Sequence, residues 1–341
     1  MTRIVQTMAG QPHGGAEAFF ERLAASLERA GETQLLAIRR DPARAARLAR
    51  AGCEVIELPF GGPLDFATKP QLARAIAAFA PRVVLSWMSR AASAVEPGAY
   101  VHVGRLGGYY DLKYYRSCDH LIANTRDIER YIVRGGWPAE RVHYLPNFAD
   151  APSQPALARS RFATPADAPL AVALGRLHRN KGFDVLLAAV AETPGLYLWL
   201  AGDGDEGDSL EGLVSSLGIS DRVRFLGWRD DVGAVLAACD MLVSSSRQEP
   251  LGNVVLEAWA AGLPVVASAS EGPGALIRDG ETGLLVPVED AARLGTAMAR
   301  LAGDPALRAR LAAAGRAAWQ ASFAEEHVVA LYRDFLAKVA R

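Results

Sequence analysis

Short apolar runs alternate regularly with helical segments along this chain, and this alternation narrows the folds it can adopt. It begins with a strand over residues 3–8, a glycine-bearing turn, and a helix from about residue 16 to 30. The same alternation continues to a short strand near residues 142–145. Strands separated by helices in this way predict a parallel sheet with both faces covered, and therefore an α/β fold.

A change in composition divides the chain into two such cycles. Residues 149–169 are rich in Ala and Pro and have no stable period, which indicates a linker or hinge. With 341 residues the chain is also long for a single core. We therefore predict two doubly wound, Rossmann-like domains at 1–148 and 170–318. A C-terminal helical segment, 319–341, is predicted to cross back to the first domain.

Charge and cysteine content exclude several classes of protein. The net charge is −1, although residues 1–147 hold 19 basic and 14 acidic side chains, a net +5, and the remainder is −6. This balance argues against nucleic acid as a partner. The three cysteines form no CxxC motif, which indicates reduced thiols in a cytoplasmic protein. We expect neither an export signal nor a membrane span.

Two glutamates eight residues apart, Glu249 and Glu257, mark the strongest candidate site. Glu249 lies in a loop before Pro250, whereas Glu257 lies in an apolar helical run that Gly262 is expected to end. The start of that helix offers unpaired N–H groups to a phosphate, and the carboxylates suit hydroxyl groups. Together these features point to a sugar nucleotide.

A basic turn is predicted at the carboxyl end of the first strand of the second domain. Arg176 and Lys181 lie in this turn, where parallel sheets bind their ligands. An arginine fork and a lysine point charge together neutralise a diphosphate without a metal. A solvated basic turn is the simpler alternative.

The segment 202–207 matches the pattern G-x-G-x-x-G and raises a nicotinamide-dependent oxidoreductase as an alternative. Its acidic residues would repel a pyrophosphate, and it follows the second strand of its domain rather than the first. Asp203 and Asp205 in the same turn raise a divalent cation as another alternative.

Basic residues between 39 and 50 predict a basic face on the first domain. Arg40, Arg44 and Arg47 share helical spacing there. Because anionic headgroups attract such segments, peripheral contact with an anionic membrane is an expectation, with a solvated helix as the alternative.

Five motifs resemble a known family. They are Gly14-Gly15-Ala16-Glu17, Gly175-Arg176…Lys181-Gly182, Ala201-Gly202-Asp203-Gly204, Glu249-Pro250-Leu251-Gly252…Glu257-Ala258 and Gly280-Glu281-Thr282-Gly283-Leu284-Leu285-Val286-Pro287. Over nearly its whole length the chain resembles the family-4 retaining glycosyltransferases of the GT-B fold. The resemblance implies two Rossmann-like domains facing a central cleft. It also implies a nucleoside-diphosphate sugar held mainly by the second domain and a glycan or lipid-linked acceptor held by the first. Residues 105–115 are similar to members that assemble lipopolysaccharide-type glycans.

The resemblance also implies roles for individual residues. Glu257 would bind ribose hydroxyls and Glu249 the transferred hexose. The residues assigned to the diphosphate are the backbone of Leu251, Gly252 and Asn253 and the side chains of Arg176 and Lys181, with Gly15 closing over it. Gly14 is a further donor-binding residue.

The implied chemistry is metal-independent transfer with retention, with Arg176, Lys181 and Glu249 as catalytic residues. Many family members have a His where this chain has Gly107 or Gly108. Either His102 or Arg105 takes its place on the acceptor side, or no side chain is essential there. The expected setting is the cytoplasmic face of a bacterial inner membrane, and the expected process is lipopolysaccharide core or cell-surface polysaccharide synthesis. A nucleotide-sugar-binding protein without turnover is the remaining alternative.

Overall fold

The computed structural model describes residues 2–12, 14–62 and 64–340, which form two compact units. The first unit runs to Phe148 and also includes the chain from Glu325 onward, while the second runs from Ala149 to Ala324. Residues 149–169, predicted as a linker, lie in the second unit, where Leu157 N donates to the Ala234 carbonyl at 3.0 Å. Arg341, the end of the predicted last segment, lies outside the described residues.

The first unit is built on a seven-stranded parallel sheet with the order β3-β2-β1-β4-β5-β6-β7. Its elements in chain order are β1 Arg3–Met8, α1 Gly15–Arg29, β2 Thr33–Arg39, α2 Pro42–Arg50, β3 Glu54–Leu58, α3 Thr68–Phe79, β4 Val83–Trp87, α4 Met88–Ala92, β5 Val101–Leu106, β6 His120–Ala123, α5 Arg126–Arg134 and β7 Val142–Tyr144.

The second unit repeats the pattern with a six-stranded parallel sheet, order β10-β9-β8-β11-β12-β13. Its elements are β8 Leu170–Leu174, α6 Phe183–Ala191, β9 Tyr197–Ala201, α7 Gly207–Ser216, β10 Val223–Gly227, α8 Val232–Ala237, β11 Met241–Ser244, α9 Asn253–Ala260, β12 Val265–Ser268, α10 Glu271–Leu276, β13 Leu284–Val286, α11 Ala291–Gly303 and α12 Pro305–Ser322.

The predicted class of two doubly wound α/β units is confirmed. In each sheet the strand order reverses once, between β1 and β4 in the first unit and between β8 and β11 in the second. Central strands such as β4 and β8 are buried along their whole length, as expected for parallel sheets covered on both faces.

The C-terminal helix α13, Glu325–Val339, packs in the core of the first unit. Tyr332 is fully buried, and its ring lies 6.4 Å from that of Phe19 on α1. The returning segment begins at Glu325 rather than at residue 319, because α12 continues to Ser322 and buries Trp319 in the second unit. Within the described residues, no helix has both the length and the apolar character to cross a bilayer.

Candidate functional site

The predicted donor residues meet where the strand order of the second unit reverses. β8 and β11 are neighbours in this sheet, so the loops that follow them, 175–182 and 245–252, leave the same edge side by side. A crevice at the carboxyl ends of strands on either side of such a reversal is the usual ligand site of a doubly wound sheet.

Hydrogen bonds fasten these two loops together. Ser245 Oγ donates to the Lys181 carbonyl at 2.9 Å, and Arg247 N donates to the Asn180 carbonyl at 2.8 Å. Gly182 permits this approach, because its φ is +61° and a Cβ there would lie 2.3 Å from the Ser245 carbonyl oxygen. These contacts hold the two loops together at the carboxyl ends of β8 and β11.

Lys181 and Glu249 form an ion pair at the centre of this edge. Lys181 Nζ contacts Glu249 Oε2, and the two side chains are 23% and 14% exposed. Gly252 N donates to Glu249 Oε1 at 3.3 Å, and Glu249 N donates to Glu271 Oε2 at 3.2 Å. The Glu249 carboxylate is thus held between the Lys181 ammonium and the backbone amide of Gly252, the N-cap of the helix that follows.

Helix α9 begins immediately after this carboxylate. Gly252 is its N-cap, with φ +80°, and Asn253 is its first residue. Glu257, one turn further, is partly exposed. The helix ends as predicted at Gly262, where Leu263 N donates to the Ala258 carbonyl at 2.8 Å. Its N-terminus therefore faces the same edge as the Lys181–Glu249 pair.

Arg247 is a positioning residue that the sequence motifs did not reveal. Its guanidinium donates two hydrogen bonds of 2.7 Å to Asp184 and one of 2.9 Å to the Arg179 carbonyl, and it also contacts Glu289. The hydrogen bond from Arg247 holds the pKa of Asp184 below its usual range. Arg247 thereby anchors the loop that carries Glu249 to the start of α6.

Arg176 extends from the same edge into solvent. Its side chain is exposed and has no ion-pair partner in the part of the chain that the structure describes. The adjacent turn explains the G-x-G pattern without a dinucleotide, because a Cβ at Gly202 would lie 1.8 Å from the Gly175 carbonyl oxygen. Leu177 N also donates to the Asp203 carbonyl at 2.9 Å. The pattern thus reflects contact between neighbouring loops.

An open pocket of about 480 Å³ adjoins this turn. Its acidic wall consists of Asp203, Asp205, Asp208 and Glu211, and Leu177 and Phe225 supply apolar surface. The four carboxylates oppose a phosphate there but accept hydrogen bonds from N–H or O–H groups. Asp203 Oδ1 already accepts from Gly204 N at 2.8 Å, so this carboxylate also braces its own turn.

Comparison with known proteins bears directly on this arrangement. The family described as Glycosyltransferase Family 4 matches residues 13–151, and the family described as Glycosyl transferases group 1 matches residues 157–318. The chain is 41% identical over 330 residues to the lipopolysaccharide core biosynthesis glycosyltransferase LpsE of Rhizobium meliloti, which covers 95% of this chain and 96% of LpsE. The chain belongs to glycosyltransferase family 4.

Further similarities of this family-4 glycosyltransferase agree with that assignment. It is 37% identical to the lipopolysaccharide core biosynthesis glycosyltransferase LpsD of the same organism, over 94% of each chain. Its structure matches that of Anabaena HepE in complex with UDP-glucose at a TM-score of 0.86 and 22% identity, over 99% of this chain and 100% of HepE. It matches the lipopolysaccharide outer core galactosyltransferase WaaB at 0.73 and 16%, over 97% and 98%. The predicted GT-B fold is confirmed, and the oxidoreductase alternative is excluded.

His102 does not reach the surface of the transferase, which corrects its predicted acceptor-side role. It is 4% exposed in β5, with Nε2 2.6 Å from Ser86 Oγ and Nδ1 3.2 Å from the Ser117 carbonyl oxygen. Because a carbonyl only accepts, Nδ1 carries the proton and Ser86 donates to Nε2. Burial lowers the pKa of His102 to about 4. The ring is therefore a neutral core group.

Arg105 is also buried, with only 1% of its surface exposed. Its Nη1 nevertheless lies near Gly107, which is partly exposed. Its Nε donates to the Tyr332 hydroxyl at 2.9 Å, and Nη2 donates to Asn147 Oδ1. The guanidinium carbon lies 4.3 Å from the Trp87 ring centroid. Arg105 thus ties β5 to α13 within the first unit, a role that the sequence did not predict.

Gly14 and Gly15 lie at the N-terminus of α1, beyond the end of β1. The Glu17 carboxylate lies against Gly14 and accepts from Gln11 N at 2.9 Å, which holds this turn in shape. The contact predicted between this turn and the donor diphosphate stays a prediction.

The predicted basic face over residues 39–50 is interrupted at its centre. Arg44 is 1% exposed and donates to Glu21 at 2.9 Å and to the Gln11 carbonyl at 2.7 Å, while Arg47 also binds Glu21. Arg40 precedes α2 and does not share its helical face. Arg40, Arg47 and Arg50 remain exposed, so the cationic surface is narrower than the spacing predicts.

Proposed function

We propose that the chain transfers a hexose-type sugar, with retention, from a nucleoside-diphosphate sugar to a glycan or lipid-linked acceptor of the lipopolysaccharide core. The observation that carries this proposal is the Lys181–Glu249 ion pair at the N-terminus of α9. In a sugar diphosphate the phosphate and the hexose are covalently adjacent. A cation and a carboxylate that are in contact, as Lys181 and Glu249 are, can therefore bind these two groups side by side. The carboxylate accepts from hexose hydroxyls while the lysine meets the phosphate.

The remaining donor contacts follow from the same edge of the sheet. Arg176 projects from the loop beside Lys181, so two cations are available to the diphosphate. The backbone of Leu251, Gly252 and Asn253 adds N–H groups at the positive end of the α9 dipole. Glu257 on α9 suits ribose hydroxyls. HepE, a structural neighbour, is complexed with UDP and with UDP-glucose.

Chemically, the bond between the anomeric carbon and the diphosphate oxygen breaks, and a bond from the acceptor hydroxyl to that carbon forms. The hydroxyl proton passes to the departing phosphate oxygen, so transfer on the same face retains the anomeric configuration. Arg176, Lys181 and the α9 dipole stabilise the charge that develops on the diphosphate. Because these cations offset the diphosphate charge, the proposal requires no metal ion.

The acceptor class rests on the relatives. LpsE and LpsD are described as lipopolysaccharide core biosynthesis glycosyltransferases, and each matches at least 94% of this chain. Such an acceptor is anchored in a membrane, so we propose action at the cytoplasmic face of the inner membrane. Exposed Arg40, Arg47 and Arg50 give a peripheral contact with anionic lipid.

The test is a transfer assay with purified full-length chain and core-truncated lipopolysaccharide, using UDP-, GDP- and ADP-hexoses as donors. We expect one donor to yield an extended core, the anomeric proton coupling of the product to match that of the donor, and EDTA to leave the rate unchanged. Binding of a donor without transfer to any core acceptor would favour a sugar-nucleotide-binding protein. An inverted linkage or loss of activity in EDTA would overturn the proposed mechanism.

A further inference from the structure

The loop after β12 lies on the opposite side of the Glu249 loop from Lys181. β11 pairs with β8 on one side and with β12 on the other, so the loops that follow these three strands leave the same edge of the sheet in that order. Residues 269–273, which connect β12 to the first turn of α10, thus flank the loop that carries Glu249. This third loop has no role in the donor contacts proposed above.

The start of α10 holds the backbone of Glu249 through two hydrogen bonds. Glu249 N donates to Glu271 Oε2 at 3.2 Å, and Gly272 N donates to the Glu249 carbonyl at 2.7 Å. The Glu249 side chain is held separately, by Lys181 and by Gly252 N. Because different groups hold the backbone and the carboxylate, the direction of the carboxylate depends on the contact with α10 as well as on Lys181.

Helix α10 has no side-chain N-cap hydrogen bond because of this contact. An N-cap side chain ordinarily accepts from the backbone N–H of the second or third helical residue. In α10 the second residue, Gly272, donates to Glu249 instead, and the third, Pro273, has no N–H. The N-cap, Ser270, is 4% exposed, and its Oγ has no hydrogen-bond partner among the described residues. A buried hydroxyl without a partner is destabilising, so the start of α10 is shaped by its contact with the Glu249 loop rather than by its own capping.

The two segments are also in close steric contact. A Cβ at Gly272 would lie 2.3 Å from the Leu251 carbonyl carbon and 2.7 Å from the Glu249 carbonyl oxygen, so no larger residue fits unless the backbone shifts. A Cβ at Gly252 would lie 3.3 Å from Pro273 Cδ. The Glu249 loop therefore has little room to shift toward α10.

Glu271 is the side chain through which this contact can be tested. It is exposed, and its carboxylate is the acceptor for Glu249 N. A neutral amide oxygen accepts the same hydrogen bond, so Glu271→Gln keeps the bond and removes the charge. The effect of the hydrogen bond and the effect of the charge can therefore be separated.

We propose that Glu271 is a positioning residue that orients Glu249 toward the hexose of the donor. It acts through its hydrogen bond to the Glu249 backbone and not through its charge. This inference rests on the proposed function, in which the Glu249 carboxylate accepts from hexose hydroxyls. Hexoses that are epimers differ in the direction of a single hydroxyl, so a carboxylate in a fixed direction favours one epimer over another. Glu271 thereby contributes to the choice of hexose.

The test measures kcat and KM of the full chain with core-truncated lipopolysaccharide and the UDP, GDP and ADP derivatives of glucose, galactose and mannose. The wild type, Glu271→Ala and Glu271→Gln are compared. We expect Glu271→Ala to lower kcat about tenfold for the donor that the wild type prefers and to narrow the preference among the three hexoses. Glu271→Gln should keep the wild-type rate and preference. Inhibition by the matching nucleoside diphosphate, which carries no hexose, should be the same in all three proteins.

Controls separate positioning from folding and from surface charge. Because Glu271 is exposed, both variants should melt close to the wild-type temperature. Glu192→Ala removes another exposed glutamate of the second unit and should keep the wild-type rate and preference.

Three results would overturn the inference: unchanged kinetics in Glu271→Ala, equal losses in Glu271→Ala and Glu271→Gln, or a melting temperature of Glu271→Ala that falls together with its nucleoside-diphosphate binding. The second would assign the effect to the charge, and the third would make the role of Glu271 purely structural. Absence of transfer by the wild type from every one of these donors would instead count against the proposed function.

Discussion

Arg247 holds in place the loop that carries Glu249 in the proposed donor site. It holds the 245–252 loop to Asp184 through paired hydrogen bonds. We expect Arg247→Ala to lower kcat about tenfold, because Glu249 loses its fixed position. Arg247→Lys should not restore the rate, since an ammonium cannot form the planar pair. Steady-state kinetics test this, with exposed Arg293→Ala as control; full activity in Arg247→Lys would contradict the role.

His102 predicts a pH dependence of stability in the first unit. Its pKa is about 4 in the folded chain, below the 6.5 of an ordinary histidine, so the folded state favours the neutral ring. Its contribution is therefore complete above pH 6.5 and is lost as the pH falls toward 4, by on the order of 3 kcal/mol.

Urea denaturation at neutral pH and near pH 5 measures this loss. Asp119 lies near the ring and opposes the effect, while burial dominates it. His102→Gln should lose less stability on acidification than the wild type does. Equal losses in the two proteins would show that His102 does not titrate on unfolding.

The sequence predicts the strand–helix alternation to which β5 belongs, and Arg105 lies near the carboxyl end of that strand. It does not predict how the Arg105 side chain is oriented. Its orientation depends on Tyr332, which is 227 residues away in the chain, and no local pattern reports such a contact. By contrast, loop position made Lys181 and Glu249 candidate site residues, because ligands bind at the carboxyl ends of the strands in doubly wound sheets, and the family resemblance then implied their roles.

Among the structural elements, the two loops after β8 and β11 depend on Gly182. Gly182→Ala would place a methyl 2.3 Å from the Ser245 carbonyl oxygen at a positive φ. We expect a loss of roughly 1–3 kcal/mol in the free energy of unfolding. Chemical denaturation measures it. Gly212→Ala in α7, with nothing within 4 Å, should be neutral or stabilising, and equal stability of both variants would contradict the fastening of the loops.

Helix ends could be predicted where a glycine or a proline marks them in the sequence. The end of α9 follows from Gly262 and Pro264, which supply the left-handed residue and the break. Helix α4 was missed, because Met88–Ala92 is short and follows β4 without a Gly or Pro between them. Its first residue, Met88, has a φ of +62°, a backbone conformation that is uncommon for a residue other than glycine.

At the scale of the whole molecule, the C-terminal helix α13 packs in the core of the first unit. Its Tyr332 hydroxyl accepts from Arg105 Nε, so Tyr332→Phe leaves a buried guanidinium nitrogen without its partner. We expect a loss of about 1–3 kcal/mol in stability. Thermal denaturation tests this expectation. Tyr114 is 42% exposed, so the control variant Tyr114→Phe should keep the melting temperature of the wild type. Equal melting temperatures would show that the α13 contact contributes little.

The organisation of the whole chain into two doubly wound units was predictable, since strand and helix periods are local. The residue at which the chain re-enters the first unit was not predictable. The predicted boundary at residue 319 falls inside α12, which continues to Ser322. Trp319 belongs to the second unit, where its Nε1 donates to the Ala149 carbonyl at 2.9 Å, a contact between residues 170 positions apart that no local pattern predicts.

In the proposed mechanism Lys181 and Glu249 hold the donor, and Lys181 stabilises the charge that develops on its diphosphate. The most direct measurement is kcat for Lys181→Ala and Glu249→Ala beside Arg179→Ala, an exposed neighbour of Lys181 in the same loop. We expect each of the first two variants to lose about a hundredfold or more in kcat, while Arg179→Ala keeps near-normal turnover. Near-normal turnover in both Lys181→Ala and Glu249→Ala would contradict the proposed role of the pair.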